Sequence, residues 1–155
     1  MRVFLDTEFT NFEFPSLISI GLVSEAGAEF YAEVPYPVKE CSEFVLEVVI
    51  PLLSHDMRHH CSADELSVRL REWLESCRPK HEDLVILFDT HTDWLLFKRA
   101  MKTQSIDWCK GRFVETDLDE SSTHNFYINS KLAEHHALND ARAGMFNYLK
   151  TPKNT

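Results

Sequence analysis

Two carboxylates two residues apart follow an apolar run at the start of the chain, in Arg2-Val3-Phe4-Leu5-Asp6-Thr7-Glu8-Phe9. If this stretch is a strand, Asp6 and Glu8 project from one face and Thr7 from the other. Adjacent anions repel, and at the end of a buried strand a bound cation is what lets both stay charged. A second carboxylate pair, Asp89 and Asp93, lies where an apolar strand gives way to a helix. A third cluster, His135-His136-Ala137-Leu138-Asn139-Asp140-Ala141, puts a histidine five residues ahead of an aspartate at a helix mouth. Four carboxylates drawn from these three places can hold two Mg²⁺ or Mn²⁺ ions, which favour oxygen ligands. Two such ions about 4 Å apart suit an in-line phosphoryl displacement. An imidazole, which titrates near neutrality, can take the proton of an attacking water. At this level the third carboxylate is either Asp89 or Asp93.

The elements that must position these residues read as follows. A buried strand covers 2–6, a loop 10–15, a second strand 17–23, a turn 25–28 and a third, half-exposed strand 29–34. Strands two and three form a hairpin, and the three together an antiparallel meander. Residues 41–53 suggest a short helix stopped near Pro51. Ser62 and Glu65 form a capping box for an amphipathic helix over 63–76. A buried strand over 83–89 leads to a helix over 93–101 capped by Thr92. A last strand is expected around 111–114, within 104–116. Residues 117–134 are polar and carry no assignment. A final helix over 137–149 puts Leu138, Ala141, Met145 and Leu149 on one stripe, and 151–155 reads as a frayed tail. The layout is α/β with a mixed sheet, in a single domain over 1–150, with its site at the carboxyl ends of strands.

The three stretches Phe4-Leu5-Asp6-Thr7-Glu8-Phe9, Phe88-Asp89-Thr90-His91-Thr92-Asp93-Trp94-Leu95-Leu96 and His135-His136-Ala137-Leu138-Asn139-Asp140-Ala141 resemble, in that order, the motifs of the DEDD superfamily of 3′–5′ exonucleases in its histidine-containing branch (DEDDh). Ser16-Leu17-Ile18-Ser19-Ile20-Gly21 also looks like the second strand of a small bacterial exoribonuclease-like group within it. The resemblance spans nearly the whole chain and implies a ribonuclease H-like fold, a mixed sheet of an antiparallel meander plus parallel strands flanked by helices. It implies Asp6, Glu8, Asp93 and Asp140 as ligands of two Mg²⁺ or Mn²⁺ ions and His135 as general base. Asp93 is preferred because apolar helix residues follow it, and His135 because four residues separate it from Asp140. Thr7, Phe9 and Thr10 fall where the family contacts the terminal nucleotide, with Phe9 either a stacking surface for a base or plain core. The first motif continues Phe9-Thr10-Asn11 where the family has two threonines and a glycine, and the asparagine usual ahead of the second-motif aspartate is missing unless His91 serves. The implied activity is a metal-dependent 3′–5′ exonuclease on single-stranded ends, with RNA preferred over DNA. The alternatives are a hydrolase of nucleotides or short oligomers and a non-catalytic binding module on the same fold.

Composition bounds these readings. The chain has 155 residues, 44% of them apolar with eleven Phe and three Trp, enough for a proper core. No stretch approaches the roughly eighteen apolar residues of a membrane span, and the chain opens on a strand with no signal peptide, so the expected location is the cytoplasm. Its four cysteines show no CxxC spacing and read as reduced thiols. The net charge of −9 argues against a long grip on a polyanion and for contact with a few nucleotides at an end. Lys98, Arg99 and Lys102 form a basic cluster expected beside the site, where they would hold phosphates or lie on an exposed face. His55, His59, His60 and Cys61 invite a zinc reading, but no second ligand pair follows, so a solvated loop is expected. Because related enzymes pair, a homodimer is compatible with the sequence.

Overall fold

The strand that carries Asp6 lies at the middle of the sheet. In the computed structural model, which describes residues 1–80, 82–102 and 106–150, β1 (Arg2–Phe9) pairs on one side with β2 (Leu17–Ser24) and on the other with β4 (Leu84–Phe88). β3 (Glu29–Glu33) and β5 (Cys109–Phe113) complete the order β3-β2-β1-β4-β5. β1, β2 and β3 run antiparallel, and β4 and β5 run parallel to β1. The frayed tail expected at 151–155 lies outside the described residues, as do positions 104 and 105 of the last expected strand region.

Alternation along β1 divides the core. Val3 and Leu5 join Ile20, Leu22, Leu66, Leu70, Leu74 and Phe97 on one face, beneath α1 (Ala63–Cys77) and α2 (His91–Met101). Phe4 joins Val23, Leu87, Ala141, Met145 and Tyr148 on the other, beneath α4 (Ala137–Lys150). Asp6 and Glu8 continue the Phe4 face and so meet α4, while Thr7 continues the Leu5 face and meets α2. The α1 start is the capping box the sequence shows: Glu65 N–H donates to Ser62 Oγ at 3.3 Å and Ser62 N–H to Glu65 Oε2 at 2.7 Å.

Two expectations are corrected. The cap of α2 is Thr90, two residues ahead of Thr92: Thr90 Oγ accepts the N–H of Asp93 at 3.3 Å, which extends the helix back to His91. On α4, Leu138, Ala141 and Met145 pack as expected, while Leu149 is half exposed and Ala137, Gly144 and Tyr148 complete the face against the sheet. The unassigned stretch 117–134 contains a helix, α3 (Glu120–Ser130), capped by Asp119, whose carboxylate accepts the N–H groups of Ser121 and Ser122. It buries no side chain fully and leans on α4 instead, through the Phe126–Phe146 ring pair and Asn147, whose side-chain amide donates to Asp119 O and Thr123 Oγ1, each at 2.7 Å. The short helix expected within 41–53 forms over 43–52 and stops just past Pro51; it is wound as π-helix over Val45–Val49 and 3₁₀ over Ile50–Leu52, anchored by Val45 and Val49 against Ile18.

The approach of α4 is set by a glycine. Gly21 of β2 stands opposite Asp6 in the antiparallel register. A Cβ built on it would lie 2.3 Å from the carbonyl oxygen of Ala137 and 2.4 Å from the nitrogen of Leu138. Only a residue without a side chain lets the first turn of α4 cross there, and that crossing delivers Asp140 beside Asp6. Replacing Gly21→Ala forces backbone apart on both sides, so a loss of about 1–3 kcal/mol in urea unfolding is expected. A variant as stable as the parent would show that α4 has room to spare.

Candidate active site

β1 and β4 run parallel, so both present their carboxyl ends at the same edge, where α4 also begins. The register pairs Phe4 with Leu87, and two residues further on Asp89 comes abreast of Asp6. Carboxylate oxygens of Asp6, Asp89 and Asp93 all lie within 4.8 Å of one another, and so do those of Asp6, Glu8 and Asp140. Asp6 belongs to both groups. The sequence left Asp89 and Asp93 as alternatives; the fold brings both to Asp6.

Asp93 and Asp140 are fixed by hydrogen bonds. β1 outruns its pairing with β4, and Thr7, beyond that pairing, is met by Asp93: the Thr7 N–H donates to Asp93 Oδ1 at 3.1 Å and the Thr7 hydroxyl to the same oxygen at 2.5 Å. The Thr90 hydroxyl donates to Oδ2. Asp93 is 2% exposed. Asp140 receives the Tyr127 hydroxyl on Oδ1 at 2.5 Å and the His135 N–H on Oδ2 at 3.0 Å. Tyr127 comes from α3, a helix without an apolar stripe, so no periodicity pointed to it. The S/T-x-x-D pattern of Thr90 and Asp93 could have been read from the sequence.

The two histidines part company. His135 takes a left-handed backbone, φ 64°, which turns its ring away from the helix and against the edge of Phe44, centroids 4.9 Å apart. His136 stacks on Tyr31 at 4.5 Å and leaves Nδ1 buried without a partner. Phe9 is half-buried, edge-on to Phe12, which is 83% exposed. Thr10 is fully buried, and its hydroxyl accepts the N–H of Ser16, which closes the 10–15 loop. The basic cluster falls at the far end of α2 from Asp93, which corrects its expected place beside the site: Lys102 pairs with Asp64, and Lys98 lies over Trp94. The four cysteines are free thiols, and among the described residues no helix is long and apolar enough to cross a membrane.

Two chambers flank the carboxylates and share Asp6, Thr90, His135 and Asp140. One, about 480 Å³, is lined by Phe9, Phe12, Phe44, Val45 and Val49. The other, about 530 Å³, is lined by Glu115, Glu120, His124, Tyr127 and Glu134.

Burial and mutual repulsion raise the pKa of each of these carboxyls. Asp6 is pushed well above the usual carboxylate range by burial, then by the charges of Asp93, Asp140 and Glu8. Glu8 is raised to about 8 by burial and by Asp140 and Asp93. Asp93 and Asp140 reach about 6, with burial partly offset by their hydroxyl and amide donors. Asp89 is raised by burial. The donor set therefore fits hard divalent cations: five convergent carboxylates, destabilised as anions by each other, with oxygen ligands alone.

A raised carboxyl pKa means that the folded chain holds protons the unfolded chain has lost. Without metal, stability is greatest below the unfolded pKa and declines as pH rises through the window from 4.5, the ordinary glutamate value, to about 8 for Glu8. Thermal melts in EDTA should show Tm falling across this window, with a shallower slope in Glu8→Gln. Added Mn²⁺ should raise Tm more at pH 8 than at pH 5, since protons compete with the ion. A Tm that stays level in EDTA, with no pH-dependent rise on adding Mn²⁺, would count against a metal centre.

No family model and no curated protein matches the sequence. A search of solved structures finds the nuclease domain of 3'hExo, a DEDDh family member, crystallised bound to rAMP, at a TM-score of 0.57 and 12% identity, covering 99% of this chain and 96% of that one. The mixed five-stranded sheet flanked by helices is thus a ribonuclease H-like fold, shared with that nuclease domain.

Proposed function

We propose that the protein is a metal-dependent 3′–5′ exonuclease that prefers RNA and releases nucleoside 5′-monophosphates from single-stranded 3′ ends. One observation carries the reading: two three-carboxylate groups share Asp6, with His135 beside them. A carboxylate common to both groups would hold two ions close together, as an in-line phosphoryl displacement with two ions needs. The motif order and the fold shared with a DEDDh nuclease domain support it. The preference for RNA rests on the resemblance of the second strand, over residues 16–21, to a small bacterial exoribonuclease-like group.

In this mechanism Asp6, Glu8, Asp93 and Asp140, with Asp89 at hand, hold two Mg²⁺ or Mn²⁺ ions. When bound, the ions neutralise the scissile phosphate and acidify the attacking water. The terminal base enters the apolar chamber against Phe9, Phe12 and Phe44, where aromatic faces stack any base. His135 takes the proton of the attacking water; the water oxygen bonds to phosphorus as the bond to the 3′ oxygen breaks, and that oxygen leaves as an alkoxide that takes a proton from solvent water to become the 3′ hydroxyl. Tyr127 and the His135 N–H keep Asp140 oriented, and the Phe44 edge keeps the imidazole in place.

The test is cleavage of 5′-labelled single-stranded RNA and DNA of graded length with Mg²⁺, Mn²⁺ or EDTA. Shortening from the 3′ end should require the ion and vanish in Asp6→Asn. His135→Ala should slow it by about 10²–10⁴-fold, with Mn²⁺ affinity in calorimetry nearly retained. Full activity in Asp6→Asn, or no cleavage at any length with either ion, would overturn the proposal.

A further inference from the structure

The two chambers differ in character, and that difference bears on what can extend beyond the scissile phosphate. Resting on the exonuclease reading, we infer that the natural substrates are dinucleotides and very short oligonucleotides, and that a dinucleoside monophosphate with a free 5′ hydroxyl is preferred over its 5′-phosphorylated counterpart.

The scissile phosphate belongs where the chambers meet, at Asp6, Thr90, His135 and Asp140. The aromatic chamber suits the terminal nucleoside, which has no phosphate beyond the one under attack. The leaving nucleoside then occupies the second chamber. Each chamber falls within the roughly 300–1,000 Å³ of small-ligand pockets, room enough for a nucleoside.

A longer chain would place its next phosphate among Glu115, Glu120 and Glu134. Two divalent ions offset most of the charge of the five central carboxylates and leave these three glutamates uncompensated. Among the described residues lining either chamber there is no lysine or arginine, and His124 is the one titratable base added on the leaving side. Two arginines on elements that border the site are engaged elsewhere: Arg112 of β5 pairs with Asp117, and Arg142 of α4 with Glu29. A polyanion is ordinarily gripped through Lys and Arg on its phosphates. Here the wall that a second phosphate would meet has the opposite sign, and like-charge contacts select against a ligand as effectively as attraction selects for one.

The experiment compares kcat/KM for ApA, pApA and A₁₀ with Mn²⁺, alongside calorimetric binding of the same three ligands with Ca²⁺ in place of Mn²⁺. ApA should exceed pApA by about tenfold at low salt in both rate and affinity, and the gap should narrow as salt screens the wall. In the double variant Glu115→Gln/Glu120→Gln the pApA-to-ApA ratio should rise several-fold. Equal or better use of pApA or A₁₀ by the parent protein, or a ratio unmoved by the variant, would overturn the inference and leave the exonuclease reading intact. Failure to cleave all three would instead remove the reading on which it rests.

Discussion

The molecule is arranged around an electrostatic conflict at the carboxyl end of β1. Asp6 is a carboxyl largely removed from solvent, with Glu8, Asp89, Asp93 and Asp140 as neighbours. Burial penalises every charge, and each charge penalises the rest. Hydrophobic packing supports this arrangement from outside: Phe4 and Leu5, just before Asp6, are locked into the cores on the two faces of the sheet. The strand is therefore held where its own carboxylates would rather not be. A bound cation relieves the conflict, and proton uptake relieves it in the cation's absence.

The five carboxylates are held by different means. Asp6 and Glu8 take their places from strand geometry. Asp93 and Asp140 are held by named donors, Thr7 and Thr90 for one and Tyr127 and the His135 amide for the other. These donors do two things. They lower the cost of the buried charge, and they leave each carboxylate a defined orientation toward a ligand. The left-handed backbone at His135 belongs to the same device: one residue supplies the amide that fixes Asp140 and turns its ring into the space that both chambers share.

Much of this was legible in the sequence, for physical reasons that can be named. Strand alternation put Asp6 and Glu8 on one face, and the capping box marked α1, because both signals are local. The three motifs fell together because parallel strands share an edge. What escaped notice depended on long-range contacts. α3 has no apolar stripe, since it is held by Asn147 and Phe146 of α4, so Tyr127 could not be anticipated. The stripe of α4 is legible at Leu138, Ala141 and Met145 but not at its end, where Tyr148 rather than Leu149 is buried; Gly21 and Gly144 let the helix approach closely, and a Cβ on Gly144 would fall 2.2 Å from the Phe4 ring. Helical spacing reveals that a stripe exists; which residues form it depends on the partner surface. The basic cluster was expected beside Asp93 because the two share a helix, yet a helix has two ends and the cluster took the other.

The acidic balance of the chain then has a structural meaning. A net charge of −9 is a handicap for a protein that tracks along a polyanion. It is much less of one where the contact is a single phosphate between two bases. The aromatic chamber can contribute stacking without any charge, and divalent ions at the carboxylates can attract the phosphate under attack and neutralise it. Beyond that point a cationic surface would help only if more phosphates followed. The placement of Lys98 and Lys102 at the distal end of α2, with Glu115, Glu120 and Glu134 around the leaving side, is what would be expected of a site in which none do.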